Sequence, residues 1–103
     1  LNMCALRLLD GAVDCVKAGI VSSLQPANVR LRRALRNADE FVGDPRYPLL
    51  FDPQTAGGLL ASVPAAQAAA CVQALQAAGY VHTSIIGRIT VQGDAIEPVL
   101  LKT

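Results

Sequence analysis

A chain of 103 residues, 52% of them hydrophobic, is long enough for one small domain or part of one and apolar enough to build a core. Nine Lys and Arg against eight Asp and Glu leave a net charge of +1, which gives no global field toward nucleic acid or an anionic membrane. The longest apolar runs, such as Leu59 to Val63 and Ala68 to Val72, fall far short of the ~20 residues that span a bilayer. The first stretch, Leu1 to Ala18, is broken by Arg7, Asp10, Asp14 and Lys17, so it is not expected to be a secretory signal. Three cysteines, Cys4, Cys15 and Cys71, are odd in number and far apart. They fit neither a disulfide framework nor a zinc ligand set, so a reducing cytoplasm is the expected home. A first residue that is Leu rather than Met leads us to expect a piece of a longer chain.

Leu9, Ala12, Val13 and Val16 recur at helical spacing, which predicts an amphipathic helix from about Leu6 to Ala18 with Asp10, Asp14 and Lys17 outward. Gly19 should stop it in a left-handed conformation. Ile20 to Pro26 reads as a loop, and Leu31, Ala34 and Leu35 as a short second helix with Arg32 and Arg36 on its wet side. Asn37 to Pro48, charged and punctuated by Gly43, Pro45 and Pro48, reads as a mobile surface connection.

Two strand-like pieces, Leu49 to Phe51 and a buried Leu59 to Val63, flank the glycine-rich bend Asp52-Pro53-Gln54-Thr55-Ala56-Gly57-Gly58. Pro64 suits the first turn of a helix whose stripe is Ala68, Cys71, Val72 and Leu75, and which Gly79 ends. Ser84 to Val91 and Ala95 to Leu100 are rich in β-branched residues, and Gln92-Gly93-Asp94 between them suits a hairpin turn. The later half therefore reads β-α-β-β, and the expected class is α+β: a mixed β-sheet with helices packed on its face.

The bend from Asp52 to Gly58 is the most informative segment. Gly57 and Gly58 permit close backbone approach and positive φ, so several amides can point one way at a phosphate or another anion. Thr55 adds a hydroxyl donor, and Asp52 can cap amides or stand near a metal held elsewhere. From residue types alone the expected reading is a sharp turn between core elements, with Asp52 and Thr55 satisfying turn amides, because a lone glycine-rich turn is a weak signal. Arg30, Arg32, Arg33 and Arg36 form a cluster able to grip phosphate. Asp39, Glu40 and Asp44 follow closely, and no interleaved aromatics surround it, so a solvated face with local ion pairs is the expected reading and no nucleic acid is expected as a partner. His82 stands alone, and the cysteines read as small buried residues. No Walker-type loop, metal-ligand pair or dinucleotide fingerprint is present, so the chain offers no catalytic and no metal-ligating residue of its own.

The stretch Leu49 to Pro64, with Asp52-Pro53-Gln54-Thr55-Ala56-Gly57-Gly58-Leu59-Leu60 at its heart, resembles the C-terminal domain of selenophosphate synthetase, also called selenide, water dikinase. Gly79-Tyr80, Ile85-Ile86-Gly87-Arg88, the upstream Leu9-Asp10-Gly11-Ala12 and the Ser22-Ser23-Leu24-Gln25-Pro26 stretch are similar in the same order. The resemblance covers nearly the whole chain, residues 1–103, as part of that C-terminal domain. It implies the fold of the aminoimidazole ribonucleotide synthetase superfamily and an ATP-dependent enzyme that makes selenophosphate from selenide, ATP and water. In that family the catalytic Cys or selenocysteine, its Lys, and most ATP and magnesium ligands belong to the N-terminal part. The intact protein is expected to be a homodimer with ATP and Mg as cofactors, and with FAD only where a flavoprotein domain is fused upstream. On this view the fragment is inactive alone, and Asp52, Thr55, Gly57 and Gly58 line the phosphates as a wall of the active site. The alternative is a stand-alone βαββ module that binds a small anion or a partner sheet for regulation.

Overall fold

The expected helix stops are built the same way twice in the computed structural model, which describes residues 1–54 and 57–103. Helix α1 (Ala12–Lys17) ends with the Gly19 N–H donating to Val16 O (2.9 Å) and the Ile20 N–H to Cys15 O (2.8 Å). Helix α3 (Ala68–Ala77) ends with Gly79 donating to Gln76 O (3.0 Å) and Tyr80 to Leu75 O (3.0 Å). Both glycines sit at positive φ, 74° and 100°, where a Cβ would be strained, and each satisfies carbonyls the helix leaves without partners. At its other end α1 is shorter than the periodicity predicts. Gly11 precedes it at φ 81°, which breaks the helix there and leaves Leu9 85% exposed instead of inward.

Between the two lies a series of tight turns. α2 (Gln25–Asn28) has Pro26 in its first turn, where the missing N–H costs nothing. It runs into a 3₁₀ turn, Val29–Ala34, in place of the expected α-helix around Leu31 to Leu35. Further 3₁₀ turns are Met3–Ala5, Ala38–Glu40, Tyr47–Phe51 and Ala65–Gln67. Residues 37–48 are not the loose connection expected from their charge, since they carry Phe41, 7% exposed, into the core. Leu49 to Phe51 is likewise 3₁₀ rather than extended, because Pro48 enters the first turn and presets a helical φ.

Four extended segments lie side by side. The Asn2 N–H donates to Ile86 O, Met3 to Lys102 O, Lys102 to Leu1 O, and the Leu1 amino group to Leu100 O, all at 2.7–2.8 Å. On the far side of residues 99–102, Val99 donates to Ala34 O (3.0 Å) and Arg36 to Val99 O (2.8 Å). The order is thus 86, 1–3, 99–102, 34–36, with parallel bridges Asn2 to Lys102 and Leu35 to Val99. Asn37 lengthens the last pairing with its side chain: Nδ2 donates to Leu101 O (3.1 Å) and Oδ1 accepts from Leu101 N–H (2.9 Å). Among the described residues no longer ladder forms, and none joins residues 84–91 to 95–100 across Gln92-Gly93-Asp94.

Met3, Phe41 and Leu101 form the buried cluster, with Leu1, Leu6, Leu35, Tyr47, Leu50 and Val99 packed around it. Phe51, 4% exposed, meets Tyr47 edge to face at 5.2 Å. Arg46 fastens the turn beneath: it chelates both oxygens of Asp44 (2.9 and 2.6 Å) and donates to Met3 O (3.2 Å). The core remains small for the chain. The accessible surface is 8079 Å², against roughly 5,500 Å² for a folded monomer of this mass. The radius of gyration is 14.9 Å, against about 12.8 Å for a closed domain of this length. Much of the surplus is apolar: Leu59 and Leu60, expected in a buried strand, are fully and largely exposed, as are Ile89, Val91 and Ile96.

Met3→Ala should cost ~2–5 kcal/mol, read as a lower urea midpoint; an unchanged midpoint would place the stabilising core elsewhere. Arg46 holds the Asp44 carboxyl below the usual carboxylate range, chiefly through its side-chain hydrogen bonds. The folded chain therefore binds this proton more weakly than the unfolded one. The stabilisation is present above the unfolded pKa of about 3.9 and is lost as pH falls through the lower folded value. Asp44→Asn should lower the melting temperature near neutral pH and flatten its decline in acid. Parallel melting curves for the two proteins at every pH would refute the pairing as a source of stability.

Candidate functional site

Asp52 follows the Tyr47–Phe51 turn, its N–H donating to Leu49 O at 3.3 Å and its backbone extended at φ −65°, ψ 126°. The buried Phe51 ring before it anchors the start of the bend to the core, so Asp52 is half-buried while Gln54 is exposed. Gln54 folds back, and its Nε2 donates to Asp52 Oδ2 at 2.7 Å. A Cβ on Gly57 would fall 3.0 Å from Gln54 Cβ and 3.3 Å from Cγ, tighter than most real Cβ contacts, so Gln54 would have to give way by a few tenths of an ångström, whereas one on Gly58 would meet open space. The bend therefore uses one of its two glycines for close approach. The positive-φ glycines of the described residues are Gly11, Gly19 and Gly79. Thr55, expected as a hydroxyl donor, lies outside the described residues together with Ala56.

Asp52 borders a groove of about 330 Å³ whose other walls come from α1 (Ala12, Cys15, Val16), the following loop (Ile20, Val21, Ser22), Gln25 and Leu49. A second groove of about 500 Å³ lies behind it, formed by Gln25, Val29, Arg32, Ala38, Asp39, Val42, Tyr47, Pro48 and Phe51. Gln25 is common to both. It is 6% exposed, and its Nε2 donates to Pro48 O at 2.8 Å, which ties α2 to the turn that carries Asp52. Sequence reasoning placed Gln25 in a loop with no role. Its only signal was position: a polar residue immediately before Pro26, at a helix start.

The arginine cluster does not converge. With three residues per turn, the 3₁₀ segment stacks Arg30 and Arg33 on one edge and puts Arg32 on another. Arg32 borders the larger groove beside Asp39, while Arg36 leaves the segment and its Nη2 donates to Glu97 O at 3.2 Å. Of the acidic residues expected to face the cluster, Asp44 pairs with Arg46, and Glu40 accepts from Asn37 Nδ2 at 2.9 Å. The cysteines are not buried as expected: Cys4 and Cys15 are exposed and Cys71 is half-buried. Cys15 is exposed at the wall of the groove it lines with Ala12 and Val16, and the half-buried residues of α1 are Ala12, Val13 and Val16. Among the described residues no three His, Cys, Asp or Glu side chains gather into a metal site. No helix among them is long and apolar enough to cross a membrane.

What this site offers is a half-buried carboxylate with one oxygen engaged, at the edge of a mainly apolar groove, with a glycine bend beside it. No protein-family model matches the chain, and no solved structure matches it. Among curated proteins it shows partial similarity to selenophosphate synthetases. It is 32% identical to selenide, water dikinase 2 of Peptoclostridium acidaminophilum over 87 residues, 82% of this chain and 24% of that protein. It is 29% identical to selenide, water dikinase of Clostridium botulinum (strain Eklund 17B / Type B) over 98 residues, 95% of this chain and 28% of that protein. The enzyme of Clostridioides difficile (strain 630) is 31% identical over 97 residues, 90% of this chain and 27% of that protein. The chain thus spans about a quarter of the length of the curated relatives it matches.

Gln25→Ala should strand the Pro48 carbonyl and open a space between the grooves. The expected loss is about 1–3 kcal/mol in denaturant melts; a stability equal to that of the parent would mean that water replaces the amide at no cost.

Proposed function

We propose that this chain is a portion of a selenide, water dikinase, a phosphotransferase that converts selenide, ATP and water to selenophosphate with release of AMP and phosphate. The observation that carries the reading is the similarity itself, which runs over 82–95% of this chain and only 24–28% of each relative. The large exposed surface and small core support it, since a segment meant to pack against further chain leaves its apolar residues uncovered when viewed alone. In the whole enzyme the mixed sheet of the β-α-β-β half is completed on the seam of residues 86, 1–3, 99–102 and 34–36. Leu59, Leu60, Ile89, Val91 and Ile96 are covered there.

The catalytic thiol or selenol, the ATP ligands and the magnesium ligands then lie outside residues 1–103, and this part contributes the bend at Asp52, Thr55, Gly57 and Gly58 as a wall near the phosphates. The whole enzyme is a homodimer of the reducing cytoplasm. The test is direct. The full-length protein, given selenide, ATP and magnesium, should form selenophosphate seen by phosphorus NMR, while residues 1–103 alone should form none. Absence of product from the full-length protein would remove the assignment, and turnover by the 103-residue chain would remove the claim that it is a part.

A further inference from the structure

We propose that Gln54 is a positioning residue for the Asp52 carboxylate, and that Gly57 lacks a side chain so that Gln54 can lie where it does. The inference rests on reading the Asp52 to Gly58 bend as a wall of the active site. Two independent features of the bend point to it. The Gln54 amide donates to one Asp52 oxygen at 2.7 Å, and Gly57 approaches the same Gln54 side chain so closely that a Cβ would sit 3.0 Å from it.

The bond is exposed to solvent, so it contributes little to folding. Its consequence is orientation. The terminal torsion of an aspartate is broad and roughly two-fold, so a carboxylate without a fixed donor swings freely. An amide on Oδ2 fixes the plane of the group and leaves Oδ1 to accept from a water or hydroxyl, and Asp52 borders the groove that Ser22 and Gln25 also line. A lysine or arginine in place of Gln54 would hold the carboxylate equally well and cancel its charge. A neutral amide keeps the charge and sets its direction.

The experiment uses the full-length enzyme and measures kcat and KM for ATP, with melting temperature as a control for folding. Gln54→Ala should lower kcat/KM about two- to tenfold, the loss that follows from one hydrogen bond. The loss should divide between kcat and KM as it does for Asp52→Asn, with the melting temperature unchanged. Gln54→Glu, which keeps the size but sets a second negative charge against Asp52, should lower it further. Gly57→Ala, whose methyl group crowds the Gln54 side chain and pushes it from its place, should lose activity in the same direction as Gln54→Ala. The decisive comparison is the double variant: in an Asp52→Asn background, Gln54→Ala should cost nothing more. An equal cost in both backgrounds would overturn the proposal, because Gln54 would then act without Asp52. If Asp52→Asn lowers activity and Gln54→Ala does not, positioning alone falls and the wall reading stands. If Asp52→Asn changes neither constant while the enzyme still makes selenophosphate, the wall reading falls too.

Discussion

Met3 is the point on which the arrangement turns. Its side chain is fully buried against Phe41 and Leu101, its N–H donates to Lys102 O, and its carbonyl accepts from Arg46. One residue near the start of the chain thus binds residues near the end, and both are held against the charged middle segment. Burying a side chain of this size is worth about 1.5–3 kcal/mol. The flanking hydrogen bonds add direction that the apolar contact lacks. Without the Met3 side chain, the buried cluster would keep only Phe41 and Leu101.

The grooves follow from that contact. Phe41 and Tyr47–Phe51 reach the core from the same charged stretch, so the turn that ends in Asp52 has a fixed start. Gln25 then bolts α2 to it through Pro48 O. Asp52 therefore owes its place to a phenylalanine one residue before it and to a glutamine 27 residues before it, while its orientation is set locally by Gln54.

Local chemistry was legible in the sequence, and non-local chemistry was not. Gly19 and Gly79 could be read as helix stops because a left-handed residue after a helix has a short-range signature. The stripe expected from periodicity in α3 is half-buried at Ala68, Cys71 and Val72 but not at Leu75, which is 38% exposed. Residues 37–48 were misread because charge and proline are surface signals, and nothing local reveals that Asp44 and Arg46 satisfy each other while Phe41 turns inward. The burial of Leu59 to Val63 was inferred from an apolar run, which records what a segment needs covered and not what covers it. At the bend, glycine pairing suggested positive φ. The use found for Gly57 is close approach to Gln54, a contact that only the folded chain discloses.

The uncovered apolar stretches also govern how this chain behaves as a free molecule. Residues 59–63 and 89–91 combine exposed Leu, Ile and Val with backbone groups outside any ladder among the described residues, the combination that recruits further strands. A net charge of +1 supplies almost no repulsion to keep copies apart. Solubility of the isolated segment is therefore a matter of concentration, and material that stays clear when dilute will self-associate as it is concentrated.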